Sequence, residues 1–399
     1  MKLNKTHFKI SILFQAIIFF PVLVSKSIGS DWDSYAIIGT VQNLYLNNIY
    51  LPSRPPGFPL YEGFVYLAYF ASKALGVDFE ITILIFQFLF TAILSFIIFL
   101  FYEKDGAKNS YFYFVIIFSP IYLISGFTVI DYFLGSIFGF LSIYVQLYKK
   151  HLLKYIPLFL GIAVAMRLTN VFFVLVVLIL QYRSKVENRI IIKNFLYFIL
   201  FSSLIQLPFY FNLWQATLSK SLNSIIDTTC ILSLTNTDHT FIDRVGRFFI
   251  KQIEFFGIIG ATAIFISIFY LKKENFSKNF HLVILFILFE LSFLRLPTEE
   301  GHLLPAFISL ILILSSVKMP RYIIGAILIS TIFSNLINLS IYTVDKVDGA
   351  EEIYFGLNIE EGIFINDLRS RNAIASEKDF HYENGLFQNT NIWSNGCPN

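Results

Sequence analysis

The sequence predicts an all-α polytopic membrane protein of about eleven transmembrane helices, and three observations predict it. Hydrophobic residues make up 56% of the 399 positions and charged residues only 14%, against roughly 25% charged in an average soluble protein. Mean hydropathy is +0.67, and 47 Phe and 22 Tyr are spread over nearly the whole length. A soluble globule has no means of hiding so much apolar surface, whereas a bilayer is a solvent for it. The third observation is that one assignment of crossings collects the basic loops on a single side. A net charge of +3 gives no sign of nucleic-acid binding. Two cysteines, Cys230 and Cys397, are too few for a cysteine-based cluster or zinc site.

The first apolar run, 8–28, follows Lys2, Lys5 and Lys9 and has no small-x-small cleavage site before Asp31, so it reads as an uncleaved signal anchor. A spanning helix needs about 20 apolar residues, fewer inside a bundle. The further candidate spans are 80–102, 111–128, 132–148, 155–166, 168–182, 190–211, 247–271, 279–295, 302–317 and 321–342. The fifth and sixth are short and meet at Arg167, either as two crossings or as one kinked helix. Counting two puts Lys104, Lys108, Lys149, Lys150, Lys154, Arg183, Lys185, Arg189, Lys272, Lys273, Lys278, Lys318 and Arg321 with the N-terminus. The acids Asp31, Asp33, Glu62, Asp78, Glu80, Asp131, Asp227, Asp238, Asp243, Glu299 and Glu300 then fall opposite. The positive-inside rule therefore places the N-terminus in the cytoplasm and the C-terminus outside a plasma (inner) membrane.

The stretch 58–76 is long enough to span, but a crossing there would reverse the parity of everything after it. It is expected, with 34–49, as a helix in the outer interface. There Ile37, Ile38, Val41, Leu44 and Tyr45 fall on one helical face and Thr40, Gln42, Asn43 and Asn47 on the other. No internal repeat is evident. Residues 1–342 form the expected transmembrane domain, with a first external loop at 29–79. The polar segment 343–399 is a small external tail, expected to pack on the loop 212–246. Cys230 and Cys397 would share its oxidising side, as one disulfide or as two free thiols.

Chemistry-bearing residues crowd the first external loop. Asp31 and Asp33 follow the first span immediately; alone they are ordinary solvated interface acids. Ser53-Arg54-Pro55-Pro56-Gly57-Phe58-Pro59 then makes a stiff turn, because three prolines restrict φ and Gly57 admits close backbone approach. Such a turn folds the loop back over the acids and shapes a cavity at the membrane surface.

Asp33-Ser34-Tyr35, an interfacial helix, and then Arg54-Pro55-Pro56-Gly57-Phe58-Pro59 resemble the first external loop of GT-C superfamily glycosyltransferases. These include the protein O-mannosyltransferase and aminoarabinose-transferase types. Asp131 in Thr128-Val129-Ile130-Asp131 resembles the superfamily's second loop acid, and Met166-Arg167-Leu168-Thr169-Asn170 its buried arginine segment. Leu296-Pro297-Thr298-Glu299-Glu300-Gly301-His302-Leu303-Leu304-Pro305 resembles its late external loop, with Gly301-His302 where an Arg-Tyr pair is usual. The resemblance runs to about residue 317 and implies transfer of a sugar from a polyprenyl-phosphate donor to an extracytoplasmic acceptor (glycan, lipid or protein), with inversion.

Displacing a lipid phosphate at an anomeric carbon needs a carboxylate to take the proton of the attacking hydroxyl and cations to hold the departing phosphate. Asp33 is the first candidate base, with Asp31 and Asp131 as rivals; Asp131 alternatively positions the acceptor or shares a metal with the first-loop acid. Oxygen ligands of this kind suit Mg²⁺ or Mn²⁺, while metal-independent relatives leave the need for one open. An arginine at 167, in an apolar region, is costly and so a functional-site candidate; the plainer alternative is a buried salt bridge to Asp131 or Glu290. Arg295, Glu300 and His302 of the late loop are candidate substrate contacts, the plainer alternative for Arg295 and His302 being interfacial anchors. Arg54 either contacts ligand or stabilises its own loop. Glu62 either supports the site or snorkels. From other classes, a flippase or transporter of lipid-linked glycans also carries buried arginines and acids, and an O-antigen-type polymerase would rely on late-loop arginines such as Arg244 and Arg247.

Overall fold

The computed structural model of the chain describes residues 3–30, 32–48, 50, 53, 58–105, 109–207, 241–295, 300–347, 350–383 and 386–387. Asp31, Arg54, Cys230 and Cys397 lie outside the described residues, as do most of the 212–246 loop and the side chains of Arg295 and Glu300.

The protein is a helical membrane protein. Among the described residues, α1 (Lys5–Ser25), α4 (Phe79–Asp105), α10 (Asn188–Ile205) and α11 (Phe241–Ile268) contain the four stretches long and apolar enough to cross a bilayer. A fifth arises if α6 (Pro120–Phe127) and α7 (Tyr132–Tyr148), bent by 112° at their junction, are one broken span. This corrects the expected eleven. The other apolar runs do form helices, but short ones: α5 (Phe112–Ile117), α8 (Ile156–Met166), α9 (Val171–Arg183), α13 (Phe280–Arg295), α14 (Leu304–Ser315) and α15 (Arg321–Phe333). At 1.5 Å per residue, thirteen residues reach only about 20 Å, against a hydrocarbon core of about 30 Å. Proline breaks one run internally, at Pro120 within 111–128, and marks where three others begin. Pro120, Pro157 and Pro305 sit in the first turns of α6, α8 and α14, and Pro320 caps α15; proline starts a helix readily and does not continue one.

Aromatic packing and buried polar contacts hold these pieces together. Gln15 Nε2 donates to Ser95 Oγ (3.1 Å), Ser95 Oγ lies 2.8 Å from the Tyr122 hydroxyl, and Tyr122 donates to the Thr91 carbonyl (3.0 Å). This chain ties α1, α4 and α6 where water is absent, as polar residues do between membrane helices.

Two of the expectations about the first loop change. α2 (Trp32–Asn47) is buried continuously from Ser34 to Gln42, Thr40 and Gln42 included, rather than showing a polar face. Its second side is covered because it packs both on α3 (Pro59–Leu75) and on Leu386–Phe387 of the C-terminal segment. Glu62, on α3, is buried and neither snorkels nor faces open solvent: its carboxylate accepts from the Tyr50 hydroxyl, the Ser53 N–H (2.8 Å) and the Ser53 hydroxyl (2.5 Å). It ties the loop to the helix.

The C-terminal segment is not simply a polar tail. α15 ends at Phe333, short of the expected 342, and the antiparallel hairpin β1 (Ile337–Val347) and β2 (Ala350–Glu361) begins inside the expected span. α16 (Ile363–His381) follows. Gly362 makes the return possible: a Cβ there would meet the Asn335 and Leu336 backbone at 2.3 Å. α16 is pinned to the bundle by Arg371, which is fully buried. Its Nε donates to Asp367 (2.6 Å) and its Nη1 to the Phe127 carbonyl at the end of α6 (3.0 Å).

Candidate functional site

The break between α6 and α7 is where the chain builds its polar centre. Thr128, Val129 and Ile130 are β-branched and disfavour helix; Thr128 is extended (φ −98°, ψ 137°), and Val129 donates its N–H to the Ile28 carbonyl (2.8 Å) beyond α1. Asp131 follows as the N-cap of α7 but makes no side-chain cap hydrogen bond. Its carboxylate, fully buried, instead accepts from Arg167 Nη1 at 2.9 Å. The N-terminal end of α7 adds a favourable field for the same negative charge.

Arg167 lies at a second break. α8 stops at Met166, and Arg167 is extended (φ −158°, ψ 128°), which turns its side chain out of the helix line. Asn170 closes the gap by donating Nδ2 to the Ala163 carbonyl (2.9 Å), which also accepts from the Arg167 N–H (3.2 Å). Asn170 fits because α7 carries Gly135 opposite it; a Cβ there would come within 2.1 Å of Asn170 Nδ2. Unwound backbone at membrane depth needs such internal partners.

Around the guanidinium four segments converge. Nη2 donates to the Tyr132 hydroxyl (3.0 Å) and meets His302 Nε2 at 2.6 Å. Arginine has no acceptor, so His302 Nε2 accepts and the ring is the neutral Nδ1–H tautomer. The guanidinium carbon stands 3.7 Å from the centre of the Tyr132 ring and 5.8 Å from that of Phe58, the residue just before α3. Tyr132 and His302 meet edge-on at 5.2 Å. Gly301 is required here, since a Cβ on it would meet the Tyr132 ring at 2.6 Å. Residue 301 thus leaves room for Tyr132, and His302 reaches Arg167.

The sequence candidates divide accordingly. Asp131, Arg167 and His302 are brought into one hydrogen-bonded cluster, and the alternative pairing of Arg167 with Glu290 does not occur: Glu290 accepts from Gln252 instead (2.9 and 3.1 Å). Asp33 is half-buried in the first turn of α2. That turn adjoins the α6–α7 break through Gly29, whose added Cβ would meet Ser34 Oγ at 2.6 Å and the Thr128 methyl at 2.9 Å. Glu62 serves the loop rather than the cluster. Tyr132 and Phe58 were missed as site residues, although each adjoins a motif residue or lies inside a motif. Arg371 and Asp367 were missed as well, and nothing in the polar tail marks them.

A cavity of about 440 Å³ opens beside the cluster, bounded by Tyr132, Thr128 and Gly301 on the bundle and by Asn338, Glu360, Asn366 and Ser370 of the C-terminal segment. Its size is that of a small-molecule site. Among the described residues no group of three or more His, Cys, Asp or Glu is arranged to hold a metal ion, and Asp131 faces a guanidinium that would repel a cation.

Comparison with known proteins leaves the site to speak for itself: no family model matches the chain, no curated protein matches its sequence, and no solved structure matches its fold.

Proposed function

We propose that the protein is a membrane-embedded glycosyltransferase of the GT-C type, moving a sugar from a polyprenyl-phosphate donor to an acceptor on the extracytoplasmic side, with the N-terminus in the cytoplasm. The observation that carries the reading is convergence. Three short motifs, centred on Asp131, Arg167 and His302 and separated by 36 and 135 positions, meet at one buried guanidinium under Phe58 of the first loop.

Arg167 supplies positive charge for the departing lipid phosphate, and a cation is worth far more in a dry site than in water. Asp131 is ion-paired and buried, so its role is to position Arg167; the base falls to Asp33. The acceptor hydroxyl attacks the anomeric carbon, its proton passes to the Asp33 carboxylate, and the bond from that carbon to the phosphate oxygen breaks with the electron pair leaving on the phosphate. The cavity beside Tyr132 holds the acceptor. Arg54, Arg295 and Glu300, whose side chains lie outside the described residues, remain candidate substrate contacts.

The test is transfer of labelled sugar from a polyprenyl-phosphate donor by the purified full chain. Asp33→Asn is expected to lose a factor of about 10²–10⁴, and Arg167→Lys, which keeps the charge but loses the planar fork, at least about tenfold. Full activity in Asp33→Asn removes the proposed base. A transporter of lipid-linked glycan is the second reading, favoured by the 112° break between α6 and α7, because transporters bind substrate at interrupted helices. Movement of the lipid-linked sugar across liposomes with no glycosidic bond formed would establish it instead.

A further inference from the structure

The opposite end of the bundle carries a groove that the transferase reading does not use. Three chain reversals meet there. Asn109, ahead of α5, donates Nδ2 to the Val317 carbonyl (2.5 Å) and its N–H to the Ser315 carbonyl (3.3 Å). Asn279, just after the short helix α12 (Lys273–Lys278), donates Nδ2 to Ser316 Oγ (2.8 Å). These bonds bring together the chain reversals that carry Lys104, Lys272, Lys273, Lys278, Lys318 and Arg321, against Glu103 and Glu274.

Between Asn109-Ser110-Tyr111 and α15 lies a groove of about 330 Å³. Its polar end holds Arg321, exposed and without an acidic partner among the described residues. From there Ile324, Gly325, Leu328 and Ile329 continue along the same face of α15. Gly325 leaves the floor open: a Cβ there meets nothing within 4 Å. Ile329, at the far end, is 59% exposed. From Arg321 to Ile329 the groove follows roughly 12 Å of helix.

We infer that this groove binds one anionic phospholipid, with the phosphate against Arg321 and Tyr111 and an acyl chain laid over Gly325 towards Ile329. An apolar groove on a membrane helix meets hydrocarbon rather than water, and a cation at its mouth selects an amphiphile with a negative head. The positive-inside rule assigns this basic end to the cytoplasmic leaflet, whose surface is anionic, and basic pockets between helices on that side suit such head groups. A free phosphate would use the arginine but leave the apolar floor exposed; a zwitterionic lipid would use the floor but not the charge. The site is independent of the Arg167 cluster, so it stands whether or not sugar transfer is found.

The experiment is thermal unfolding of the full chain in neutral detergent with added phosphatidylglycerol, phosphatidylcholine or inorganic phosphate, alongside native mass spectrometry. Phosphatidylglycerol is expected to raise the midpoint by on the order of 5 °C and to remain bound as one molecule; the other two do neither. Arg321→Gln and Gly325→Leu are each expected to abolish the shift and the bound lipid without lowering the unliganded midpoint, since one position is exposed and the other open. An undiminished shift in both variants overturns the proposal. So does an equal shift from phosphatidylcholine or from inorganic phosphate alone, or a dimer of the chain that Gly325→Leu dissociates.

Discussion

Two buried arginines flank the same break, each paired with one buried carboxylate, and they differ in where their partners come from. Arg371 binds Asp367 one turn earlier on its own helix and also donates to the Phe127 carbonyl and the Thr128 hydroxyl. Arg167 binds Asp131, Tyr132 and His302, two of them ionisable side chains from different segments, and has two aromatic rings against it beside a cavity. Arg371 is paired within its own helix and holds the Phe127 carbonyl at the end of α6, so it fastens α16 to the bundle. Arg167 gathers partners from segments far apart in the chain, and the cavity is lined by partners of both arginines, Tyr132 for Arg167 and Thr128 and Asp367 for Arg371. Burial of an arginine therefore says little about function until its partners are known.

The largest expected effects come from removing either arginine alone. Arg371→Leu is expected to cost about 3–5 kcal/mol, because it strands Asp367 in the interior; a lower unfolding midpoint and faster proteolysis near 363–372 would report it. The charge-free doubles sharpen the contrast. Arg371→Leu with Asp367→Leu should recover most of the stability and retain transfer, whereas Arg167→Leu with Asp131→Leu should recover the fold and remain inactive. If both doubles were inactive, the division between fastener and site would break down, and Arg371 would have to be counted with the site. Next in size is Gly301→Ala, which drives a methyl into the Tyr132 ring. It should destabilise by about 1–3 kcal/mol and reduce transfer, measured on the same preparation. Smallest is Lys26→Ala. Its 2.5 Å ion pair with Asp78 has side chains 51% and 30% exposed, so the loss should stay under about 1 kcal/mol and shrink further in salt.

Much of the candidate site was legible because charge in an apolar run is conspicuous. Arg167 and Asp131 stand out against their neighbours, since each would be expensive in hydrocarbon without a partner. Their pairing was legible only as one of two options, with Glu290 as the other, because helical runs do not say which faces meet. Arg371 was illegible for the converse reason: in a segment full of Asn, Asp, Glu and Ser, one more charge carries no contrast. The count of spans failed for a related cause. Hydropathy averages across Ser119-Pro120, where the helix stops and a new one starts, and across the 321–342 run, where the helix ends at Phe333, so helices that read as full crossings are shorter than a bilayer.

The sequence by itself determined the solvent. A chain with 56% hydrophobic residues in long apolar runs separated by short basic loops reads as helical and embedded in lipid, and its few interior charges had to be the interesting ones. Only the tertiary structure decided which of those charges meet. It brought Asp131, Arg167 and His302 to one point, buried the supposedly amphipathic α2 on both sides, and folded the polar tail back onto the bundle through Arg371. Those outcomes depend on close approaches at Gly29, Gly135, Gly301 and Gly362 and on breaks in the helices. Such features fix the relative placement of segments far apart in the chain, and local composition has no term for that.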